Sequence, residues 1–297
     1  MLKSRIIINK AAGKIMFIIT ILGSILIILI IAGLFYKSRS LLFNKPLSQL
    51  LFGSSWYPLR GEFGLFPFII GTLYVTIISL IFAVPLCLLT SIFLSEYSDK
   101  KIQKVISSLI DLFAGIPSVV YGIWGILIVV PIVKKFIAPF FKTTTTGYCL
   151  LSGGIVLAIM IFPIIIQISV EVLKSVPKEA RESSMALGAT KWQTIKFVVI
   201  RKAIPGIFAA IILGLSRALG ETMAVLMVVG NVAKIPNSLF KPAYPLTALI
   251  ANNYGEMLSV PLYDSALMFA ALILLIIVLL FNIIARAFLI KIERNIQ

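Results

Sequence analysis

Histidine is absent from this 297-residue chain. That removes the commonest general base and a frequent metal ligand. Cysteine occurs twice, as Cys87 and Cys149, each inside an apolar stretch. Both read as small packing residues rather than as a disulfide or redox pair. No GxxxxGK[ST] phosphate loop is present, so the chain is not expected to hydrolyse ATP by that mechanism. No nucleophile–base constellation is visible either, which argues against an enzyme. Neither a cofactor nor a metal is expected. Acidic residues are scarce, 11 against 27 Lys and Arg, for a net charge of +16. No basic stripe is interleaved with aromatics, which argues against a nucleic-acid partner. Membrane topology and anionic lipid headgroups account for the basic excess better.

Apolar residues are abundant. They make up 60% of the chain, with a mean hydropathy of +1.09, whereas soluble domains have roughly 45–50%. The chain therefore reads as an all-α polytopic membrane protein. Too little polar sequence remains for a separate soluble domain. Uncharged runs place six transmembrane helices at 15–36, 65–95, 112–133, 143–170, 203–230 and 265–285. The first run is too long for a signal-peptide core and lacks a cleavage site, so it reads as a retained helix. Pro85, Pro117 and Pro163 fall inside predicted spans and suggest kinks.

Six spans put both termini on one side. Lys and Arg concentrate at the N-terminus (Lys3, Arg5, Lys10, Lys14), after the second span, between the fourth and fifth spans, and at the C-terminus. The positive-inside rule then makes both termini cytoplasmic. The organisation expected is a cytoplasmic N-terminus (1–14), a first helix with its external loop (15–64), a membrane domain (65–290) and a cytoplasmic C-terminus (291–297).

Arg217 and Glu221 are the charges within the apolar segment 203–230. A charge at the centre of a membrane helix is disfavoured by roughly 2.5–3.5 kcal/mol on insertion scales. Residues four apart share a helix face, so the two are expected to form an intrahelical pair. Such charges face a bundle interior or an aqueous path and mark substrate handling, although a pair that merely orders the bundle has the same pattern. Ser216 and Thr222 flank it; a hydroxyl there either contacts substrate or bonds back to a carbonyl. Asp111 and Glu171 read as interfacial residues at span ends, and Thr143 to Thr146 as a polar loop without specific function.

The loop at 171–202 is expected to be helix–glycine–helix. Pro177 suits a first helical turn. Glu179 and Glu182 follow, near the positive end of the helix dipole. Gly188 can take the left-handed conformation that ends a helix. A second short amphipathic helix follows, and Pro205 opens the fifth span. Such a loop is a rigid knob for a soluble partner, or an interfacial helix on lipid.

The order Glu182-Ser183-Ser184-Met185-Ala186-Leu187-Gly188, followed by Ala189-Thr190-Lys191-Trp192 and Ile204-Pro205-Gly206, resembles the EAA loop of type I ABC importer permeases (MetI-like fold). The family has Glu-Ala-Ala where this chain has Glu-Ser-Ser. Further segments resemble the PstC-type permease subunit of the phosphate ABC importer. They are Trp56-Tyr57-Pro58 with Gly71-Thr72-Leu73, Gly115-Ile116-Pro117-Ser118 through Gly122, Arg217-Ala218-Leu219-Gly220-Glu221-Thr222-Met223, and Gly230-Asn231 through Ala251.

The resemblance implies half of a translocation pathway for inorganic phosphate in a bacterial cell membrane. The implied partners are a PstA-like permease subunit, a PstB-like ATPase dimer and a PstS-like extracytoplasmic binding protein. It implies pathway roles for Arg217, Glu221 and Thr222, with Glu221 restraining Arg217. Glu182, Ala186 and Gly188 would couple to the ATPase, while Pro117 and Gly122 would bend the third span. Another oxyanion, sulfate or molybdate, is an alternative substrate. A proton-coupled carrier is a more distant alternative, since it would need no EAA-like loop.

Overall fold

The computed structural model describes residues 2–256 and 259–296. The outermost terminal residues, Met1 and Gln297, lie outside the described residues. So do positions 257 and 258 of the last predicted external loop.

A hydrocarbon core about 30 Å thick needs roughly 20 helical residues to cross it. Among the described residues six helices qualify: Ala12–Asn44, Phe66–Tyr97, Ser118–Phe140, Leu150–Ser175, Lys191–Gly220 and Tyr263–Ile292. The fourth is the centre of the bundle: half of its most apolar window is buried, against none for the first. Small residues let the other spans close on it. At Gly154 a Cβ would sit 2.3 Å from Ile78 of the second span, and at Gly214 of the fifth a Cβ would sit 2.7 Å from Ile165. Close backbone approach replaces hydrophobic driving force inside a membrane. The first span leans on the sixth, joining Leu34 and Leu41 to Ala266, Leu267 and Ala270.

A two-stranded hairpin, Trp56–Tyr57 against Glu62–Phe63, covers the bundle end after the first span. Trp56 packs edge-on against Phe63 and Phe68, with ring centroids 5.6 and 5.2 Å away. Its neighbours make Trp56 a structural anchor for this end.

Three spans start well away from where the sequence places them. The predicted third span began at 112, but Lys100–Gly115 is a separate helix and the span starts at Ser118. Pro117 stands between the two helices with extended backbone (φ −60°, ψ 143°), so it interrupts the chain instead of kinking one helix. Residues before proline avoid the α region, and Ile116 is extended accordingly. Further along, five-residue π-helical turns at Gly125–Val129 and Val133–Ile137 precede Pro131 and Pro139. Proline lacks the N–H that the helical ladder needs, and a wider turn absorbs the defect.

The fourth span starts at Leu150, not 143, leaving Thr143 to Thr146 outside it. The fifth is displaced most. Its helix runs from Lys191 to Gly220, so the second half of the loop is continuous with the membrane span and Pro205 lies inside it rather than at its start. The chain then breaks at Glu221 and Thr222, and a short helix, Met223–Val228, follows.

Candidate functional site

Arg217 lies in the last turn of the fifth-span helix. Gly214, one turn earlier, packs on Ile165 near the middle of the fourth span, which places Arg217 near mid-depth. Its side chain is exposed on the surface of the single chain. Tyr121 belongs to the third span. The Tyr121 hydroxyl donates to Phe113 O at 2.7 Å, across the break at Pro117.

The intrahelical pair expected between Arg217 and Glu221 does not form. Arg181–Glu96 is the one ion pair among the described residues. The physical reason is the helix end: Glu221 has extended backbone (φ −70°, ψ 131°), so the i, i+4 geometry stops at Gly220. Glu221 serves the next helix instead. Its Oε1 accepts from the Ala224 amide at 3.1 Å. A carboxylate at that position satisfies an otherwise unpaired N-terminal amide and suits the helix dipole. Its backbone carbonyl accepts from Thr247 Oγ1 at 2.9 Å, tying the break to the helix Leu246–Asn253.

Thr222 is partly exposed beside the break, with Oγ1 3.3 Å from Gly220 O. Ser216 turns away from the exposed face: its hydroxyl donates to Asn282 Oδ1 of the sixth span at 2.7 Å, with Ile212 O at 2.9 Å. Gly122 is a contact point between the third span and the short helix. A Cβ there would meet Met227 Sδ of the short helix at 2.4 Å. The third span and the segment after Arg217 therefore touch at a position where residue 122 has no side chain.

At the bundle end away from the 171–202 loop, a cavity of about 1020 Å³ opens beside the short helix. Lys134, Thr144, Thr145, Tyr148, Asn231 and Lys241 are among its lining residues. The threonine run thus has a place that its sequence did not disclose, and Thr145 Oγ1 donates to Phe240 O at 2.9 Å. Lys134 and Lys241 lie far apart in sequence, so no local pattern could have paired them.

The loop between the fourth and fifth spans folds as helix–turn–helix. The helix Lys178–Ala186 starts after Pro177, which sits just outside its first turn, and Glu179 lies in that turn. Gly188 has φ +87°, the left-handed conformation expected of it. Its amide donates to Met185 O at 2.9 Å. The next helix opens with a reciprocal cap between Thr190 and Gln193. Glu182, Ala186 and Leu187 project at the tip, and Leu187 is 90% exposed. Asp111 accepts from the Gln167 side-chain amide, joining the third-span lead-in to the fourth span. Glu171 is exposed near the loop end of the fourth span.

Six spans, an arginine near mid-depth and a projecting helical loop are the arrangement of a membrane transport subunit. A family model described as binding-protein-dependent transport system inner membrane component matches residues 87–296. The chain belongs to this family of multi-pass cell-membrane permeases. It is 40% identical over 240 residues to the probable ABC transporter permease protein YqgH of Bacillus subtilis (strain 168), covering 80% of this chain and 76% of that protein. It is 35% identical over 261 residues to the phosphate transport system permease protein PstC of Xylella fastidiosa (strain 9a5c), covering 83% and 80%. Its fold is similar to a chain of the inward-facing MetNI methionine ABC transporter, with a TM-score of 0.55 and 17% identity over 84% of this chain and 98% of that one.

Proposed function

We propose that this chain is a permease subunit of an ATP-driven importer of inorganic phosphate. It forms half of the path and works with a PstA-like permease, a PstB-like ATPase dimer and a PstS-like extracytoplasmic binding protein. The observation that carries the substrate is the similarity to PstC proteins over about four-fifths of both chains. Arg217 supports it chemically, because a guanidinium offers planar donors matched to phosphate oxygens. A transported ion must also leave. At 4 Å two unit charges attract by about 1 kcal/mol in bulk water but about 4 kcal/mol at an effective dielectric of 20. With Glu221 engaged elsewhere, hydration of the exposed Arg217 is what keeps its grip weak. The 171–202 loop faces the cytoplasm, where Glu182, Ala186, Leu187 and Gly188 meet the ATPase.

The test is radiolabelled phosphate uptake in cells that lack their own high-affinity importer and express this chain with its partners. Expected are uptake insensitive to excess sulfate or molybdate and its collapse in Arg217→Gln at matched membrane abundance. Competition by sulfate or molybdate would reassign the substrate. Normal uptake in Arg217→Gln would remove the ligand role.

A further inference from the structure

We propose that Arg181 and Glu96 form a clamp that transmits motion of the 171–202 loop to the second and fourth spans. The proposal rests on the loop being the ATPase contact described above. Arg181 lies on the loop helix Lys178–Ala186, and Glu96 in the π-helical turn Phe93–Tyr97 that ends the second span. Arg181 Nη2 donates to Glu96 Oε1 at 2.9 Å. The same guanidinium donates to Leu173 O at 2.8 Å and to Val176 O. These carbonyls lie at the end of the fourth-span helix, where backbone acceptors lack helical partners and a cation suits the dipole. One side chain thus holds the loop to the ends of two spans at once.

Ordinary surface ion pairs contribute little because water screens both partners. This pair is largely covered, with side-chain exposures of 18% and 9%. Three bonds also leave the two terminal nitrogens of one planar fork, a geometry that a lysine's compact ammonium does not reproduce. A second cation repeats the connection from the other half of the loop: Lys191 Nζ lies 4.5 Å from the centre of the Tyr97 ring. The two halves are joined to each other by the Ser184 and Thr194 hydroxyls, 3.0 Å apart. The loop is therefore a stiff body fastened twice to one turn of the second span. The fourth-span end continues the connection, since Lys174 Nζ donates to Gln103 Oε1 at 3.0 Å on the helix Lys100–Gly115. That helix leads to the break at Pro117, which the Tyr121 hydroxyl bridges by donating back to Phe113 O.

The experiment uses the reconstituted complex with its partner permease, ATPase dimer and phosphate-loaded binding protein. It reads phosphate transported per ATP hydrolysed. Arg181→Ala should keep hydrolysis close to wild type while transport falls by about tenfold, within the 5–150-fold range typical of coupling between sites. Glu96→Ala should do the same, and the double variant should be no worse than either single one. Arg181→Lys should recover only part of the ratio. Parallel loss of hydrolysis and transport would reduce the pair to a structural brace and overturn the proposal, as would multiplicative effects in the double variant. Leu187→Asp separates this failure from failure of the underlying reading. If the ATPase still co-purifies with Leu187→Asp, the loop is not its contact. If it does not, and Arg181→Ala transports normally, the clamp alone is wrong.

Discussion

Glu221 shows how one residue's role depends on where a helix stops. Its carboxylate accepts from the Ala224 amide, and the ion pair found among the described residues is elsewhere, at Arg181 and Glu96. The two possible roles of Glu221 predict different substitutions. As a cap it needs an acceptor, so Glu221→Gln should keep uptake near wild type. Glu221→Leu should lose about 0.5–2 kcal/mol, the usual cost of a lost helix cap, seen as a lower melting temperature and reduced uptake. As a counter-charge, Gln would be as harmful as Leu. Gly188 was legible because its chemistry is local: a glycine after an amphipathic turn is a common way to end a helix. Gly188→Ala must place a Cβ at φ +87°, where the left-handed region costs L-residues about 1–2 kcal/mol. No neighbouring atom lies within reach of that Cβ, so the expected effect is backbone strain alone, read as a lower melting temperature. The end of the fifth helix was not legible. The apolar run continues unbroken from Leu219 through Val229 apart from Glu221 and Thr222, and no proline marks the break. Hydropathy reports what a segment can be dissolved in, and is silent on whether its backbone is continuous.

At the scale of elements, the meeting of the third span with the short helix Met223–Val228 sets the wall beside Arg217. Their approach is limited by Gly122 against Met227. Gly122→Val should push the short helix away and lower both melting temperature and uptake. Overpacking typically costs about 1–3 kcal/mol. Met227→Ala in the same chain should restore much of both, because the removed side chain is the one a Cβ at 122 would strike. Failure of that rescue would locate the obstruction elsewhere. The existence of all six spans was readable, since length and hydropathy suffice for it. Their starts were less so. At Pro117 the sequence carries the right signal for a break, and a mid-membrane proline is ambiguous between a kink and an interruption until the neighbours are known. At Lys191 the polar, basic composition suggested an interfacial piece, yet the helix runs on through Pro205 without a stop. A π-helical turn at Ile195–Val199 accommodates that continuity.

For the whole molecule, the fold class follows from composition, whereas the pathway depends on long-range pairings. Ser216 meets Asn282 and Thr247 meets Glu221, contacts that one chain's local pattern does not encode. Orientation is intermediate. Basic residues favour the loop end, but Lys134, Lys142, Lys234 and Lys241 stand at the other end, two of them around the cavity. An importer of anions has use for positive charge at its entrance, since such a field raises local substrate concentration. Lysines at such an entrance would oppose the topological signal. Thiol accessibility decides between them. Cys87 and Cys149 are fully buried and should stay silent toward a membrane-impermeant maleimide. Lys234→Cys, on an exposed turn away from the loop, should be labelled in intact cells. Lys178→Cys, exposed on the loop helix, should be labelled only after permeabilisation. The opposite pattern would put the helical loop outside the cell, out of reach of any cytoplasmic ATPase, and the coupling role of Glu182, Gly188 and Arg181 would fall with it.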